Sequence, residues 1–372
     1  MATGAGLEGV VATQSRLCFI DGDAGLLSYQ GFRIETLAEN ATFEETIFLL
    51  WNGRLPNAAE LAELKSQLVA NRELPAQVDA FLKANPKGAP MHILRTAVSM
   101  LALDDADANN VTVPEARKKA IRLMAQTATI VTSFDRMRNG KEVVKGDPSL
   151  SFAGNFLYTL NGAKPDDVME RVLDVALILH AEHELNASTF AARVTAATLS
   201  DIYSAVTSAI GALRGPLHGG ANEDVIKLLL KAGTPENAMV MVKEMLATKQ
   251  KVPGMGHRVY HTLDPRAISL KGMAEDLSKR TGHEQLYQAS TQIQEYMKET
   301  KNLNANVDFF SASMYYSLGI PVDLFTPVFA VSRMSGWTGH VMEQYENNRL
   351  IRPRAEYLGP EVGQKWVAIN ER

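Results

Sequence analysis

Helical periodicity is the feature that most constrains what this chain can fold into. After the first forty or so residues, apolar side chains recur three and four positions apart through most of the chain, which is the spacing of amphipathic helices. The pattern predicts helices over residues 42–51, 57–70, 76–84, 92–103, 165–180, 188–200 and 221–232. In the helix over 165–180 the apolar stripe is wide and carries Val168, Val172 and Leu179. We therefore expect this helix near the centre of the fold.

Only the beginning of the chain departs from this pattern. Residues 16–20 and 26–29 flank Asp21-Gly-Asp-Ala-Gly25, which predicts a small β-hairpin. The fold class expected is mainly α, with a large helical domain, a smaller helical domain and this hairpin at the N-terminus.

The chain length favours two domains, because 372 residues exceed the usual size of one hydrophobic core. Glycines cluster at 211–220 and 254–256, and Gly319-Ile-Pro321 breaks the helical pattern. We therefore expect a smaller domain over 222–322, carried on a larger domain formed by 1–221 and 323–372. A cleft between two domains is a usual place for a small-molecule site.

Charge and composition exclude several classes of protein. The chain has 38 Lys and Arg against 42 Asp and Glu, a net charge of −4, with no basic stripe, so nucleic acid is not expected as a partner. No apolar run reaches the roughly 18 residues of a membrane span. The single cysteine, Cys18, cannot form an internal disulfide and is predicted to be a buried apolar residue. Together with the absence of a visible signal peptide, this favours a reducing, cytoplasmic location.

Five of the eight histidines lie in three short windows. These windows are His180-Ala-Glu-His183-Glu-Leu-Asn-Ala-Ser188, Gly215-Pro-Leu-His218-Gly-Gly-Ala-Asn222, and Pro253-Gly-Met-Gly-His257-Arg-Val-Tyr-His261, the last followed by Asp264-Pro-Arg266. A fourth window, Asn306-Val-Asp308-Phe-Phe, has an acid instead of a histidine. The C-terminal part adds Arg333, Arg352 and Arg354.

Each of these residues also has a purely structural interpretation. His180 ends an apolar helix, where a histidine is commonly a satisfied core residue. Asp308 precedes an aromatic pair and could be a helix N-cap. His218 and His257 lie in glycine-rich loops, which packing explains less well, and they are interpreted as functional. His261 and His340 are interpreted as structural.

Taken jointly, one carboxylate, several imidazoles and several arginines suit carbon-acid chemistry on a small polycarboxylate. Arginines bind carboxylates bidentately. A carboxylate can remove a carbon-bound proton while a neutral imidazole donates to the developing enolate oxygen, and a second imidazole can polarise an acceptor carbonyl. The chain has no GxSxG elbow, no P-loop and no HExxH motif. Gly254-Met-Gly-His-Arg-Val259 lacks the third glycine of a dinucleotide fingerprint.

At these residues the sequence resembles the citrate synthase family. The resemblance runs from Gly6-Leu-Glu-Gly9 to the C-terminus and is closest to the short bacterial form, particularly that of Gram-positive bacteria. The motifs that carry it are Gly-Pro-Leu-His218-Gly-Gly-Ala-Asn, Gly-Met-Gly-His257-Arg-Val-Tyr, Asn-Val-Asp308-Phe, Phe-Ala-Val-Ser-Arg333 and Asn-Arg-Leu-Ile-Arg352-Pro-Arg.

The resemblance implies a homodimer that joins acetyl-CoA to oxaloacetate without a cofactor or a metal, acetyl-CoA being a substrate. His218, His257 and Asp308 are implied as the catalytic residues. His183, His257, Arg266 and Arg333 are implied to hold oxaloacetate, with Arg352 donated by the other subunit. Lys251, Val252, Pro253, Gly254 and Met255 are implied to contact CoA, and domain closure to complete the site.

Three alternatives stay open at this point. A 2-methylcitrate synthase, using propionyl-CoA, shares every motif above, because one methylene changes binding by only about 1–3 kcal/mol. His180, Glu182, His183 and Glu184 could instead form a metal site, although no further ligand has the required spacing. The third alternative is a non-catalytic relative that only binds CoA or a protein, and the joint presence of His218, His257 and Asp308 argues against it.

Overall fold

The computed structural model describes residues 5–7 and 9–372. Its only sheet, within these residues, has three short antiparallel strands, β1 (Cys18–Asp21), β2 (Leu26–Tyr29) and β3 (Phe32–Arg33), in that order. Cys18 pairs with Tyr29 and Asp21 with Leu26. The predicted hairpin is confirmed, and β3 is an addition that the sequence did not indicate. Cys18 is half-buried rather than fully buried.

The first ten helices lie between Ile34 and Leu213. They are α1 (Ile34–Asn40), α2 (Phe43–Asn52), α3 (Ala58–Ala70), α4 (Ala76–Ala84), α5 (Pro90–Met100), α6 (Val113–Arg138), α7 (Phe152–Asn161), α8 (Asp167–His180), α9 (Ala187–Ala196) and α10 (Ile202–Leu213). Thr42 and Asn57 begin α2 and α3 with capping boxes, because each accepts from a backbone N–H of the first turn while a glutamate reaches back.

Six further helices follow, and α16 is the longest of them. They are α11 (Ala221–Ala232), α12 (Pro235–Ala247), α13 (Pro265–Thr281), α14 (Glu284–Lys301), α15 (Val307–Ser317) and α16 (Phe325–Glu346). Helices α11 to α15 pack mainly on one another, and they touch the rest of the fold where α13 meets α1 and α8 and where α11 meets α16.

The predicted helices are present, with shifted ends. The helix predicted over 92–103 is α5, which begins two residues earlier and passes into a 3₁₀ turn at Leu101. The helix predicted over 188–200 ends at Ala196, because the chain turns through a left-handed Leu199 before Asp201 caps α10. Helix α8 lies in the core, as predicted, with Val172 to His180 buried.

Helix α16 and the segment after it have opposite environments. Helix α16 packs against α2, α6, α8, α9 and α10 and is buried over most of its length. Residues 352–372 are exposed throughout, although they carry large apolar side chains such as Leu358, Val362 and Trp366. Of the helices described, none combines the length and apolar character needed to cross a bilayer.

Candidate active site

The end of α8 places two histidines in the core. The Nδ1–H of His180 donates to the carbonyl oxygen of Ala176 at 2.7 Å, which fixes the tautomer because a carbonyl can only accept. Nε2 of His180 is buried and has no hydrogen-bond partner among the described residues. Beyond the helix, Nε2 of His183 lies 3.2 Å from the hydroxyl of Tyr260. His183 is therefore held from a distant loop, whereas His180 bonds within its own helix through Nδ1 alone, as far as the described residues go.

His257 has its tautomer set by the backbone of its own loop. Nδ1 accepts hydrogen bonds from the N–H groups of Val259 at 3.0 Å and Tyr260 at 3.2 Å. The proton of the neutral ring must then lie on Nε2, where it can be donated to a ligand. The ring centroids of His257 and His183 are 5.3 Å apart, and that of Tyr260 is 4.7 Å from His257.

His218 lies in the loop between α10 and α11 and contacts Ser188, at the start of α9. Nε2 of His218 is 2.8 Å from Ser188 Oγ. The same hydroxyl accepts from Nε1–H of Trp337 at 3.1 Å and lies 2.7 Å from Oδ1 of Asn186. One hydroxyl proton therefore has two possible acceptors, Asn186 and His218.

Two buried arginines face this group of histidines. Arg266, at the start of α13, binds Asp264 through Nε at 3.0 Å and Nη2 at 2.8 Å. Asp264 also accepts the N–H of Val307 at 3.2 Å, and so it joins Arg266 to the start of α15. Arg333, on α16, donates from Nε to the carbonyl oxygen of His180 at 2.6 Å and lies over the ring of Phe329.

Burial alone would shift the pKa values of Arg266 and Asp264 so that each group became neutral more easily. The ion pair between the two groups has a larger effect on both pKa values, in the opposite direction. Burial alone would lower the pKa of Arg266, but the Asp264 carboxylate raises it well above its usual range. Burial alone would raise the pKa of Asp264, but the Arg266 guanidinium brings it below its usual value. Both groups are therefore charged at neutral pH. Among the described residues, no carboxylate forms an ion pair with Arg333, and burial lowers its pKa.

Asp308 is the second residue of α15, not its N-cap. The side chain of Asn306 caps the helix by accepting the N–H of Asp308 at 3.0 Å, so the N-cap alternative for Asp308 is wrong. Oδ1 of Asp308 is shielded from solvent and accepts no hydrogen bond from a described residue. Burial raises the pKa of this carboxyl to about 6, against the opposing effect of Arg266. Asp308 is therefore a stronger base than an ordinary aspartate.

The three histidines of the candidate site are neutral at physiological pH. Burial, reinforced by Arg333, lowers the pKa of His218 to about 4. Burial and Arg266 lower the pKa of His257 to about 4 and that of His183 well below its usual value. A neutral imidazole donates one hydrogen bond and accepts one. The arrangement thus combines a raised-pKa carboxylate, neutral imidazoles and buried guanidinium groups, a set suited to removing a carbon-bound proton and stabilising an enolate.

The residues expected to contact CoA lie in the loop before His257. Gly254 has a left-handed φ of 72°, and a Cβ there would lie 2.8 Å from Phe309 and from Val225. The loop can therefore lie close on α11 and α15 only with glycine at this position. Val252 is buried and Lys251 exposed, and Met255 forms a β-bridge with Ala305. Next to this loop, a cavity of about 230 Å³ lies between residues 256–264 and residues 302–305, with His257 and Asp264 in its lining.

The structure does not bring Arg352 to the other site residues of this chain. Arg352 and Arg354 lie in the exposed segment after α16. Neither forms a hydrogen bond or ion pair with another residue that the structure describes. The remaining predicted residues, His183, His218, His257, Arg266, Asp308 and Arg333, are linked by the contacts and electrostatic effects above.

Sequence reasoning gave no role to Ser188, Tyr260 and Asp264, and considered Glu182 only as a metal ligand, although the structure places all four beside site residues. Ser188 and Tyr260 stood inside the quoted windows, but their partners lie 30 and 77 residues away in the chain. Asp264 could have been found from its two-residue spacing to Arg266, which favours pairing at a helix start. Glu182 is fully buried and accepts the N–H of His183 at 2.8 Å.

Comparison with known proteins identifies the family. A profile described as "Citrate synthase, C-terminal domain" matches residues 6–354. The chain belongs to the citrate synthase family. Citrate synthase 2 of Bacillus subtilis is 53% identical over 99% of this chain and 98% of its own.

Two further relatives bear on the substrate and on the fold. The 2-methylcitrate synthase of Shewanella oneidensis is 43% identical over 96% of this chain and 95% of its own. The citrate synthase of Thermoplasma acidophilum, solved as a ternary complex with carboxymethyl coenzyme A and oxaloacetate, has a TM-score of 0.92 and 34% identity, with full coverage of both chains, 100% each. The expected fold class and family are confirmed. The chain is more similar to the citrate synthase of Bacillus subtilis than to the 2-methylcitrate synthase, and this difference in identity favours the citrate reaction over the 2-methylcitrate reaction. The chain is an enzyme, a transferase of the citrate synthase type.

Proposed function

We propose that this enzyme condenses acetyl-CoA with oxaloacetate and water, giving citrate and CoA through an enolate and citryl-CoA. The observation that carries the proposal is Asp308, whose pKa of about 6 makes it a suitable base close to the buried guanidinium groups of Arg266 and Arg333. A thioester methyl proton is far too weak an acid for a free carboxylate near pKa 4, so the enolate must be stabilised by nearby donors.

Oxaloacetate would be held by His183, His257, Arg266 and Arg333. The two guanidinium groups provide local positive charge for a dianion in a protein of net charge −4. His257 would donate from Nε2–H to the ketone oxygen, which is the proton position that its loop backbone requires. Tyr260 would hold the neighbouring imidazole of His183 in place.

His218 would donate from Nδ1–H to the thioester carbonyl of acetyl-CoA. This needs Nε2 to accept, and the Ser188 hydroxyl at 2.8 Å can supply that hydrogen bond. Asn186 does not require the same proton, because its Oδ1 already accepts the backbone N–H groups of Ser188 and Thr189. Asp308 would then remove a methyl proton, and the electron pair of the broken C–H bond would form the enolate held by His218.

The new bond forms between the enolate carbon and the ketone carbon of oxaloacetate. The ketone oxygen would take the proton of His257 as its charge develops. Water then cleaves the thioester of citryl-CoA and releases citrate and CoA. No step requires a metal or a cofactor, and acetyl-CoA is consumed as a substrate. A cytoplasmic location remains our expectation from the composition.

We propose a homodimer in which Arg352 completes the oxaloacetate site of the partner subunit. Support comes from the exposed segment that carries it, since Leu358, Val362 and Trp366 present apolar surface that a second subunit could bury. We also propose that residues 222–322 form the smaller domain, which carries Asp308, and that residues 251–255 contact CoA. The mutual packing of α11 to α15 supports this division.

The test is release of the CoA thiol by purified enzyme with oxaloacetate, comparing acetyl-CoA with propionyl-CoA. We expect kcat/KM for acetyl-CoA to exceed that for propionyl-CoA at least tenfold, since one methylene in a fitted pocket corresponds to about 1–3 kcal/mol. A preference for propionyl-CoA would keep the mechanism and assign the 2-methylcitrate reaction. Release from neither substrate by folded protein would refute the proposal.

A further inference from the structure

The N-terminal hairpin contacts both histidine segments of the proposed oxaloacetate site. At its base, the hydroxyl of Tyr29 on β2 donates to the carbonyl oxygen of Glu182 at 2.9 Å and accepts the N–H of the same residue at 3.2 Å. Glu182 directly precedes His183. Tyr29 is fully buried, so this end of the hairpin is anchored in the core under the His183 segment.

The other end of the hairpin meets the loop that bears His257. We call residues 22–25 the hairpin turn and residues 256–263 the His257 loop. The N–H of His261 donates to the carbonyl oxygen of Gly22 at 3.1 Å. Nδ1 of His261 lies 2.7 Å from Oδ1 of Asp23. The turn is itself shaped by Asp21, whose Oδ1 accepts the N–H groups of Asp23 and Ala24.

The approach of the turn to the loop is close enough to exclude side chains. A Cβ on Gly22 would lie 2.0 Å from the carbonyl oxygen of Val259. A Cβ on Gly25 would lie 2.8 Å from Thr262 and 3.2 Å from the carbonyl oxygen of Leu263. Because ordinary contacts begin near 3.4 Å, the two segments fit only with glycine at position 22.

On its inner side, the His257 loop carries the groups that meet the substrate. The N–H groups of Val259 and Tyr260 fix the tautomer of His257, and the hydroxyl of Tyr260 holds His183. A movement of Val259 would therefore be transmitted directly to His257 and, through Tyr260, to His183. Movement of the loop away from the hairpin would break both contacts of His261.

We propose that the hairpin turn is a clamp that keeps the His257 loop in its oxaloacetate-binding position, with Gly22 and Asp23 as positioning residues. The inference rests on the proposed roles of His183 and His257 in binding oxaloacetate. It assigns to the hairpin a function that the reaction scheme does not use. Among the described residues, no hydrogen bond joins the turn to residues 251–255, which are proposed to contact CoA, so the clamp acts on oxaloacetate rather than on acetyl-CoA.

The first test is kinetic and uses Gly22→Ala and Asp23→Ala. Gly22→Ala forces the turn and Val259 apart by more than 1 Å, and we expect kcat/KM for oxaloacetate to fall at least tenfold, with KM for acetyl-CoA changed less than twofold. Asp23 is exposed, so Asp23→Ala should raise KM for oxaloacetate only about twofold to fivefold. Gly272→Ala on α13, where a Cβ meets open space, is the control.

The second test does not depend on activity. Hydrogen–deuterium exchange at the amides of residues 256–263 should accelerate in both turn variants and stay unchanged in Gly272→Ala. Suppose that wild-type enzyme releases CoA and that both turn variants keep the wild-type KM for oxaloacetate and the wild-type exchange rates. This result would overturn the clamp and leave the proposed reaction standing. Equal increases in both KM values would also overturn it. Inactive wild type with accelerated exchange in the variants would instead refute the proposed reaction and support the clamp.

Discussion

Replacing Asp308 by asparagine should make the folded protein more stable at neutral pH. The carboxylate is shielded at Oδ1 and receives no hydrogen bond there from a described residue. Ionisation of Asp308 therefore lowers the free energy of unfolding. Its pKa rises from 3.8 to about 6 because of burial. One pKa unit corresponds to about 1.4 kcal/mol, which gives an upper figure of about 3 kcal/mol. The rest of the side chain is half-buried, and solvent screening reduces this to about 2 kcal/mol.

The sign of the pH dependence follows from the raised pKa. The folded state retains the proton of Asp308 to higher pH than the unfolded state, so wild type loses stability as the pH rises from about 4 to about 6 and then stays level. Asp308→Asn lacks this loss. The variant should exceed wild type in free energy of unfolding by about 2 kcal/mol near pH 8 and by about half of that near pH 5.

The assay is urea unfolding followed by the helical circular dichroism signal. All samples need equal protein concentration, because the stability of the homodimer that we propose would depend on it. The control is Asp276→Asn, an exposed carboxylate on α13, which should change the free energy of unfolding by less than about 0.5 kcal/mol at either pH. Two results would show that the charge of Asp308 does not destabilise the fold. One is a variant no more stable than wild type near pH 8, and the other is a difference in free energy of unfolding that does not depend on pH.

Three further predictions concern catalysis. In a pH profile, kcat/KM for oxaloacetate, which follows the free enzyme, should fall as the pH drops through about 6, because protonation removes the Asp308 base; a fall that starts only near pH 4 would contradict this assignment. Ser188→Ala should lower kcat about tenfold with KM for oxaloacetate unchanged, since one hydrogen bond of about 1.4 kcal/mol that orients His218 is lost; steady-state kinetics showing wild-type kcat would exclude that role. Arg352→Ala and His218→Ala should each be inactive, yet verified heterodimers of the two should regain part of the wild-type rate. Failure to complement would argue against donation of Arg352 across the dimer.

The helices could be predicted from the sequence because their signals are local. Thr42 with Glu45 and Asn57 with Glu60 specify helix starts within four residues, and the apolar stripe of α8 specifies its burial. The ends were less certain. The end of α9 depends on the left-handed Leu199, which the apolar spacing does not encode.

The site was predicted only in part, for a physical reason. His218 and His257 stood out because packing does not explain histidines in glycine-rich loops. Ser188 and Tyr260 gave no such signal, since their role depends on tertiary contacts that join distant parts of the chain. His261 was interpreted as structural, and only the approach of the hairpin turn suggests more.

For Asp308, the local pattern left a helix cap and a catalytic base as alternatives. The structure removes the first, because Asn306 provides the cap and leaves the carboxylate without a partner at Oδ1 among the described residues. Its catalytic role stays a prediction.

The most direct measurement of the central claim is the turnover of Asp308→Asn alongside its affinity for oxaloacetate. Because the variant should be at least as stable as wild type, a lost activity could not be attributed to unfolding. We expect kcat to fall about a thousandfold, the usual scale for a lost catalytic group, with the Kd for oxaloacetate, measured by calorimetry, within about twofold of wild type because Arg266 and Arg333 are retained. A kcat within tenfold of wild type would contradict the assignment of Asp308 as the base that removes the methyl proton.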